Sequence, residues 1–274
     1  MVDDMRILVD GRGLLESPRW HGGRLYFADW SAGEVLAVAP DGGGTEVVAR
    51  VDSLPLCIAW LPGDRLIIVD SRRGRLLRRE PGGALVPHAE LGRPGWNDIA
   101  ADGRGNIYVN GAGFDPMAGQ EFAPGAVFRA ADVVLPAADD IAFPNGMAVT
   151  PDDRTLIVAD SYRHHLLAFD IGPDGALANR RVWAELGTGV PDGICIDAEG
   201  AVWYADVPNR CCVRVAAGGA ELQRVTVDRG AFACALGGST LFVTAARWQG
   251  MTAAQMVEPG SGQVLAIEVA VPNA

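Results

Sequence analysis

Nowhere in this 274-residue sequence is there an apolar run of the roughly 18 residues that a membrane-crossing helix needs. The opening stretch, MVDDMRILVDGRG, carries acids at once and no apolar core, so it does not read as a secretory signal. Cysteine is scarce. Cys57, Cys195, Cys211, Cys212 and Cys234 make an odd count in a long chain, which does not look like a disulfide framework. These shortfalls lead to the expectation of a cytoplasmic protein with reduced thiols and no membrane partner. Positive charge is also in deficit: 23 Lys and Arg stand against 34 Asp and Glu, a net charge of −11. No nucleic-acid partner is expected, because phosphate-binding surfaces concentrate Lys and Arg. The one basic run, Arg72, Arg73, Arg75, Arg78 and Arg79, surrounds Leu76 and Leu77 and reads as a solvated hairpin. Familiar catalytic signatures are missing as well. There is no G-x-S-x-G elbow, no P-loop and no dinucleotide fingerprint. The histidines His21, His88, His164 and His165 show no zinc-ligand spacing.

What is present is apolar residue in quantity, 49% of the chain against 21% charged, enough for a sizeable core. Helical periodicity is nearly absent. Short β-rich runs alternate instead with Gly, Pro, Asp and Asn clusters. Six segments follow one template of apolar strand, polar turn and second apolar strand. They start at Arg24, Arg65, Asn106, Thr155, Ala201 and Thr240, and successive starts lie 41, 41, 49, 46 and 39 residues apart. The third and sixth copies carry longer inserts between their two strands. A propeller blade takes roughly 40–50 residues. The spacing therefore predicts an all-β, six-bladed β-propeller with four-stranded blades, occupying residues 1–274 as a single domain. A β-sandwich or a solenoid is the alternative. A ring must close, and RILV at 6–9 is the candidate to complete the blade that holds VLAIEV at 264–269.

Each unit is preceded by another short apolar stretch, read as the innermost strand. The first residues of these stretches are Glu16, Leu56, Asn97, Asn145, Asp192 and Phe232, spaced by 40, 41, 48, 47 and 40. Those are the repeat lengths, so all six belong at one level around the propeller axis. Four of them carry side-chain oxygens. Carboxylates and amides converging on an axis are expensive to bury empty, and an all-oxygen set suits a hard divalent cation. Ca²⁺ is expected, with Zn²⁺, Mn²⁺ or Mg²⁺ as competitors. The bland alternative is that Asn145–Gly146 and Asp192–Gly193 are ordinary turn dipeptides. A second repeated set, Asp29, Asp70, Asp160 and Asp206, follows the next strand of its units and is expected to bond turn amides.

These residues carry a resemblance. LLESPRWHGGRLYFADW, GWNDIAADGRGNIYV, FPNGMAVTPDDRTLIVADS and VPDGICIDAEGAVWYADV resemble the regucalcin, gluconolactonase and luciferin-regenerating-enzyme family of six-bladed propellers, senescence-marker-protein-like. With the weaker copies the resemblance covers nearly the whole chain. It implies that Glu16, Asn145 and Asp192 are metal ligands, that Asp192 is also the general base, and that Asn97 meets metal through water or contacts substrate. It implies a substrate contact for Glu121. Sugar-lactone members tend to have an Arg two residues before Asn97, where this chain has Gly95 followed by Trp96.

The resemblance implies a divalent-metal-dependent lactone hydrolase acting on a small-molecule lactone or ester. Trp96, Leu56, Met147, Phe232 and Phe114, with Trp248 and Met251 from the last insert, predict an apolar mouth and a substrate less polar than gluconolactone. A metal-polarised carbonyl attacked by water, with Asp192 taking the proton, is the expected mechanism. Two alternatives stay open: another metal-dependent step in a biosynthetic pathway, and a non-catalytic calcium-binding or interaction propeller. A monomer or weak homodimer is expected.

Overall fold

The computed structural model describes residues 5–116, 118–131, 133–250 and 257–274. In them, six antiparallel sheets of four strands each stand around a central axis. The inner strands of blades 1 to 6 are Leu15–His21, Leu56–Leu61, Asp98–Ala101, Pro144–Val149, Pro191–Ile196 and Gly230–Gly237. Each packs against the inner strands of both neighbouring blades, and the sixth packs against the first. Among the described residues the helical content is one 3₁₀ turn at Ser71–Arg73.

The periodicity of the sequence explains the arrangement. The second and third strands of the blades are apolar on both faces; Val202–Asp206 and Cys211–Val215, for example, are buried throughout. A lone sheet would leave both faces wet. In the ring, Leu25, Phe27 and Leu36 of blade 1 meet Ala235, Phe242 and Val264 of blade 6. Trp203 and Cys212 of blade 5 meet Cys234 and Val243 on the other face of blade 6. Each large side chain so buried contributes about 1.5–3 kcal/mol. Outer strands such as Leu177–Glu185 are mostly exposed and mark the rim.

Ring closure follows the sequence expectation. The N-terminal strand Arg6–Arg12 is the outermost strand of blade 6, pairing antiparallel with Gly262–Glu268. Its register sets Ile7 opposite Leu265 and Val9 opposite Val264. The first and last strands of the chain thus share one sheet, and opening the ring requires breaking that ladder.

Two glycines fix how closely the inner strands approach. Gly146 and Gly193 lie inside inner strands rather than in turns. A Cβ on Gly146 would stand 2.6 Å from both the Asp192 carbonyl oxygen and the Ile194 nitrogen. One on Gly193 would stand 2.3 Å from the Ala233 Cβ. The Asn-Gly and Asp-Gly pairs are therefore close-approach points between blades 4, 5 and 6. The turn alternative does not describe them.

Candidate active site

The inner strands do not all begin alike. Ladder register slips between Glu16 and Arg19 in blade 1, between Pro144 and Met147 in blade 4, between Pro191 and Ile194 in blade 5, and between Ala231 and Ala233 in blade 6. A bulge adds a residue to one strand and re-aims the side chains beside it. Here the bulged positions hold Asn145, Asp192 and Phe232, the blade 1 bulge directly follows Glu16, and all four line one cavity of about 550 Å³ at one mouth of the channel. Asn97, just ahead of the blade 3 inner strand, joins them.

Hydrogen bonds lock this floor. Asn97 Nδ2 donates to Asn145 Oδ1 at 3.1 Å and to the Pro144 carbonyl at 3.3 Å. Asn110 Nδ2 donates to the Asn145 carbonyl at 2.6 Å. Asn145 Nδ2 in turn donates to Ser161 Oγ at 3.3 Å, and that hydroxyl donates to the Pro191 carbonyl at 2.6 Å, next to Asp192. The repeated aspartates act just behind. Asp160 accepts from the Ala142 and Phe143 amides leading into Asn145, and Asp206 accepts from the Val190 amide leading into Asp192. Asp29 accepts from the amides of Ser31 and Ala32 in its own turn. Among the described residues, the functional-site signal missed in the sequence is that two of these turn acids also hold the segments entering the site.

Three acids gather around the channel at this level, Glu16, Asp98 and Asp192. Asp98 has a cation: Arg19 Nη2 reaches its Oδ1 at 2.9 Å. Its other oxygen accepts from the Met147 amide at 2.8 Å. Glu16 and Asp192 form no ion pair among the described residues; the Ser17 amide donates to Glu16 Oε2 at 3.0 Å. Burial pushes Glu16 up to about 8, with the Asp98 charge adding to it. Burial likewise holds Asp192 well above the usual carboxylate range, reinforced by Glu16 and Asp98 and opposed by the Asn145 amide. Two carboxylates that disfavour each other's charge, beside an amide oxygen with a lone pair to spare, are a donor set that fits a hard divalent cation. Among the described residues no three His, Cys, Asp or Glu side chains form a metal centre by themselves. A cation here would rest on two carboxylates and an amide.

The cavity walls are largely aromatic and aliphatic: Leu14, Trp30, Phe114, Phe143, Phe232 and Trp248. Phe143 stacks on Tyr162 with ring centroids 4.8 Å apart, and Phe114 meets Phe143 edge-on at 6.0 Å. Both long inserts contribute, through Phe114 and Gln120 from one and Trp248 from the other. Met251 lies outside the described residues.

Other sequence-predicted contacts sit elsewhere. Leu56 is fully buried between blades 1 and 2, because the blade 2 ladder is regular from Leu56–Asp70 onward and turns the side chain into the core. The Trp30 indole caps its carbonyl at 2.6 Å. Trp96 is buried between blades 2 and 3, its Nε1 donating to the Arg93 carbonyl at 2.6 Å. Met147 packs among Tyr108, Val127 and Leu167 and borders a separate cavity further along the channel, with Arg19 and Ile194. Glu121 is exposed; Gln120 is the insert residue that reaches the cavity, where its Oε1 accepts from the Asp115 amide at 2.9 Å. The basic run is mostly paired with acids, as in Arg72–Asp52 at 2.8 Å and Arg75–Asp70 at 3.0 Å, yet Arg72 also borders the cavity, and so does Arg93. Loops from different blades assemble that rim, so no single stretch of sequence announces it.

The description "SMP-30/Gluconolactonase/LRE-like region" matches residues 14–247. The chain belongs to this family. Proteins similar to it include a 6-deoxy-6-sulfogluconolactonase of Pseudomonas putida, 26% identical over an alignment of 269 residues that covers 91% of this chain and 88% of that protein. A pentonolactonase of Haloferax volcanii is 25% identical over 228 residues, 81% of this chain and 76% of that protein. An L-arabinolactonase of Azospirillum brasilense is 34% identical over 158 residues, 55% of this chain and 52% of that protein. Among solved structures, a regucalcin from Agrobacterium tumefaciens superposes with a TM-score of 0.82 at 22% identity, over 99% of this chain and 96% of that one. A luciferin-regenerating enzyme gives 0.80 at 20% identity, over 99% and 97%. At such identities the structures speak for the fold alone. No helix of the described residues is long and apolar enough to cross a membrane.

Proposed function

We propose that this chain is a lactone hydrolase that works with one divalent cation, Ca²⁺ by preference, at the floor formed by Glu16, Asn145 and Asp192. The observation that carries this reading is the pair of buried carboxylates, with no ion pair among the described residues, set under apolar walls in a cavity large enough for a small lactone. The sugar-lactonase names of its relatives support the reaction class.

Glu16 and Asn145 would hold the ion, and Asp192 would share in holding it. When bound, such an ion supplies Lewis-acid polarisation of a carbonyl and lowers the pKa of nearby water. Asp192, which lines the cavity, accepts the proton of the attacking water. A carboxylate shared with a cation is a weak base, and its placement beside the attacking water in a water-excluding cavity compensates. Asn97 spends its amide protons on Asn145 and Pro144, so its part is to aim the Asn145 oxygen. The aromatic walls exclude water around the ester and favour a ring carrying fewer hydroxyls than gluconolactone.

The test is a lactone panel running from sugar lactones to alkyl-substituted γ- and δ-lactones. It is assayed after chelation and again with Ca²⁺, Mn²⁺ or Zn²⁺ restored. Cation-dependent turnover that Asp192→Asn removes is expected. Full turnover in the chelated protein, or in an Asp192→Asn protein that still binds the ion, contradicts the proposal.

A further inference from the structure

The cavity rim holds a cation with no acid to balance it. Arg93 lies in the loop joining the outer strand of blade 2 to the inner strand of blade 3 and borders the cavity beside Pro94 and Gly95. Its guanidinium stacks over the Trp96 ring, 4.3 Å from the centroid, with Phe128 5.6 Å away. It forms no ion pair among the described residues, and its side-chain hydrogen bond goes to the Pro94 carbonyl at 3.1 Å. Its neighbour Arg72, by contrast, is engaged with Asp52 at 2.8 Å. Burial draws the Arg93 pKa down, a sign that its solvation is incomplete.

Two glycines lie against it. A Cβ on Gly95 would come within 3.6 Å of Arg93 Nη1, and one on Gly111 within 3.3 Å of Nη2. The guanidinium therefore fills the space above Gly95. Stacking on an indole holds the group flat and leaves its N–H edge to find a partner. Asp115 borders the same cavity, but its Oδ1 accepts from the Ala118 amide at 3.1 Å and is committed to its own turn.

We propose that Arg93 is a specificity-determining residue that binds a carboxylate on the substrate, so that the preferred lactone is an apolar ring bearing one anionic group. The inference rests on the lactone reading of this same site. One guanidinium fork matches one carboxylate in charge and shape. The chain as a whole, at net charge −11, disfavours anions, so a rim guanidinium supplies an anionic substrate with local attraction. A carboxylate held by Arg93 at the rim leaves the lactone carbonyl to point towards the floor. The aromatic walls meet the ring between them.

The experiment compares two lactones of the same ring on the Ca²⁺-loaded protein, γ-valerolactone and 5-oxotetrahydrofuran-2-carboxylate, which differ in a methyl against a carboxylate. The wild type is expected to favour the carboxylate by about tenfold or more in KM, the scale of one charge-assisted pair. The preference should shrink with added salt. In Arg93→Gln the ratio should fall towards one. Arg93→Lys, which keeps charge but not the fork, should retain part of it and guards against a folding defect in the first variant. Dissociation constants for the same two compounds, from calorimetry, give the ratio independently of turnover. Binding preference without hydrolysis of either compound supports the anion subsite and counts against the hydrolase. Hydrolysis with equal KM for both, or a ratio unchanged in Arg93→Gln, overturns the subsite and leaves the hydrolase standing. Absence of both refutes both.

Discussion

Blades 2 and 5 begin their inner strands with the same template and end with opposite chemistry. In blade 2 the ladder is regular, Leu56 faces Asp70, and the side chain is sealed between blades with the Trp30 indole over its carbonyl. In blade 5 a register slip follows Pro191, and Asp192 looks into the channel. One added residue per strand thus separates a core position from a site position at the same level of the ring. A slip also follows Glu16 and spans Asn145, while the blade 6 slip carries Phe232 and Asn97 reaches the cavity just ahead of a regular blade 3 ladder. A bulge weakens its ladder, and the close approach at Gly146 and Gly193 recovers contact between the inner strands.

The contrast can be broken from either side. The largest effect is expected from Asp192→Asn. Removing a general base should lower kcat by about 10²–10⁴-fold while the thermal midpoint holds or rises, since a repelled carboxylate is gone. Steady-state kinetics and a melting curve check the two halves.

Next is Leu56→Asn, which copies the blade 4 residue into blade 2. It should add no cation affinity, because the regular register buries the new amide. It should cost roughly 1–3 kcal/mol of stability for unsatisfied polar atoms, measured by urea unfolding. Tighter Ca²⁺ binding in that variant would show that the bulge is not what decides.

A third change concerns pH. Glu16 is raised from 4.5 to about 8 without a cation, so between those values the folded chain holds a proton that the unfolded chain has released. Stability of the chelated protein should therefore fall as pH rises through that window. Ca²⁺ should offset the loss, binding more tightly as the pH approaches 8, because carboxylate ligands must be deprotonated. Melting temperatures of wild type and Glu16→Gln from pH 5 to 8 test this: without Ca²⁺ the wild type should lose stability relative to the variant as pH rises, and a difference that stays constant across the range would show that Glu16 carries no such shift.

The smallest effect is expected at Asp206→Asn, which weakens the hold on the Val190 amide ahead of Asp192. A loss of about 1 kcal/mol in stability, with a lower kcat in the lactone assay, is the expected outcome.

Much of this architecture is legible in the sequence because it is repeated. Six apolar templates at nearly constant spacing require a closed ring, and a spare strand at Arg6–Arg12 has one unpaired edge to go to. The oxygen donors stand out because they share a register with Leu56 and Phe232. Side-chain direction is less accessible. Asn-Gly and Asp-Gly read equally well as turns, and only the neighbouring backbone shows why glycine is required there. Leu56, Trp96 and Met147 look like mouth residues by position and lie in blade cores because ladder register decides which way they face. Arg93 was out of reach for a different reason. Its significance depends on Gly95, Trp96 and Gly111 lying under it, and Gly111 belongs to another strand.

The central claim is the proposal that Glu16, Asn145 and Asp192 together bind one divalent cation. Calorimetric titration of Ca²⁺ into chelator-treated protein, beside Glu16→Gln, tests it most directly. The account predicts one ion per chain in the wild type and at least about tenfold weaker binding in the variant, since even residues behind metal ligands act on that scale. No heat of binding in the wild type, or equal affinity in Glu16→Gln, would contradict it.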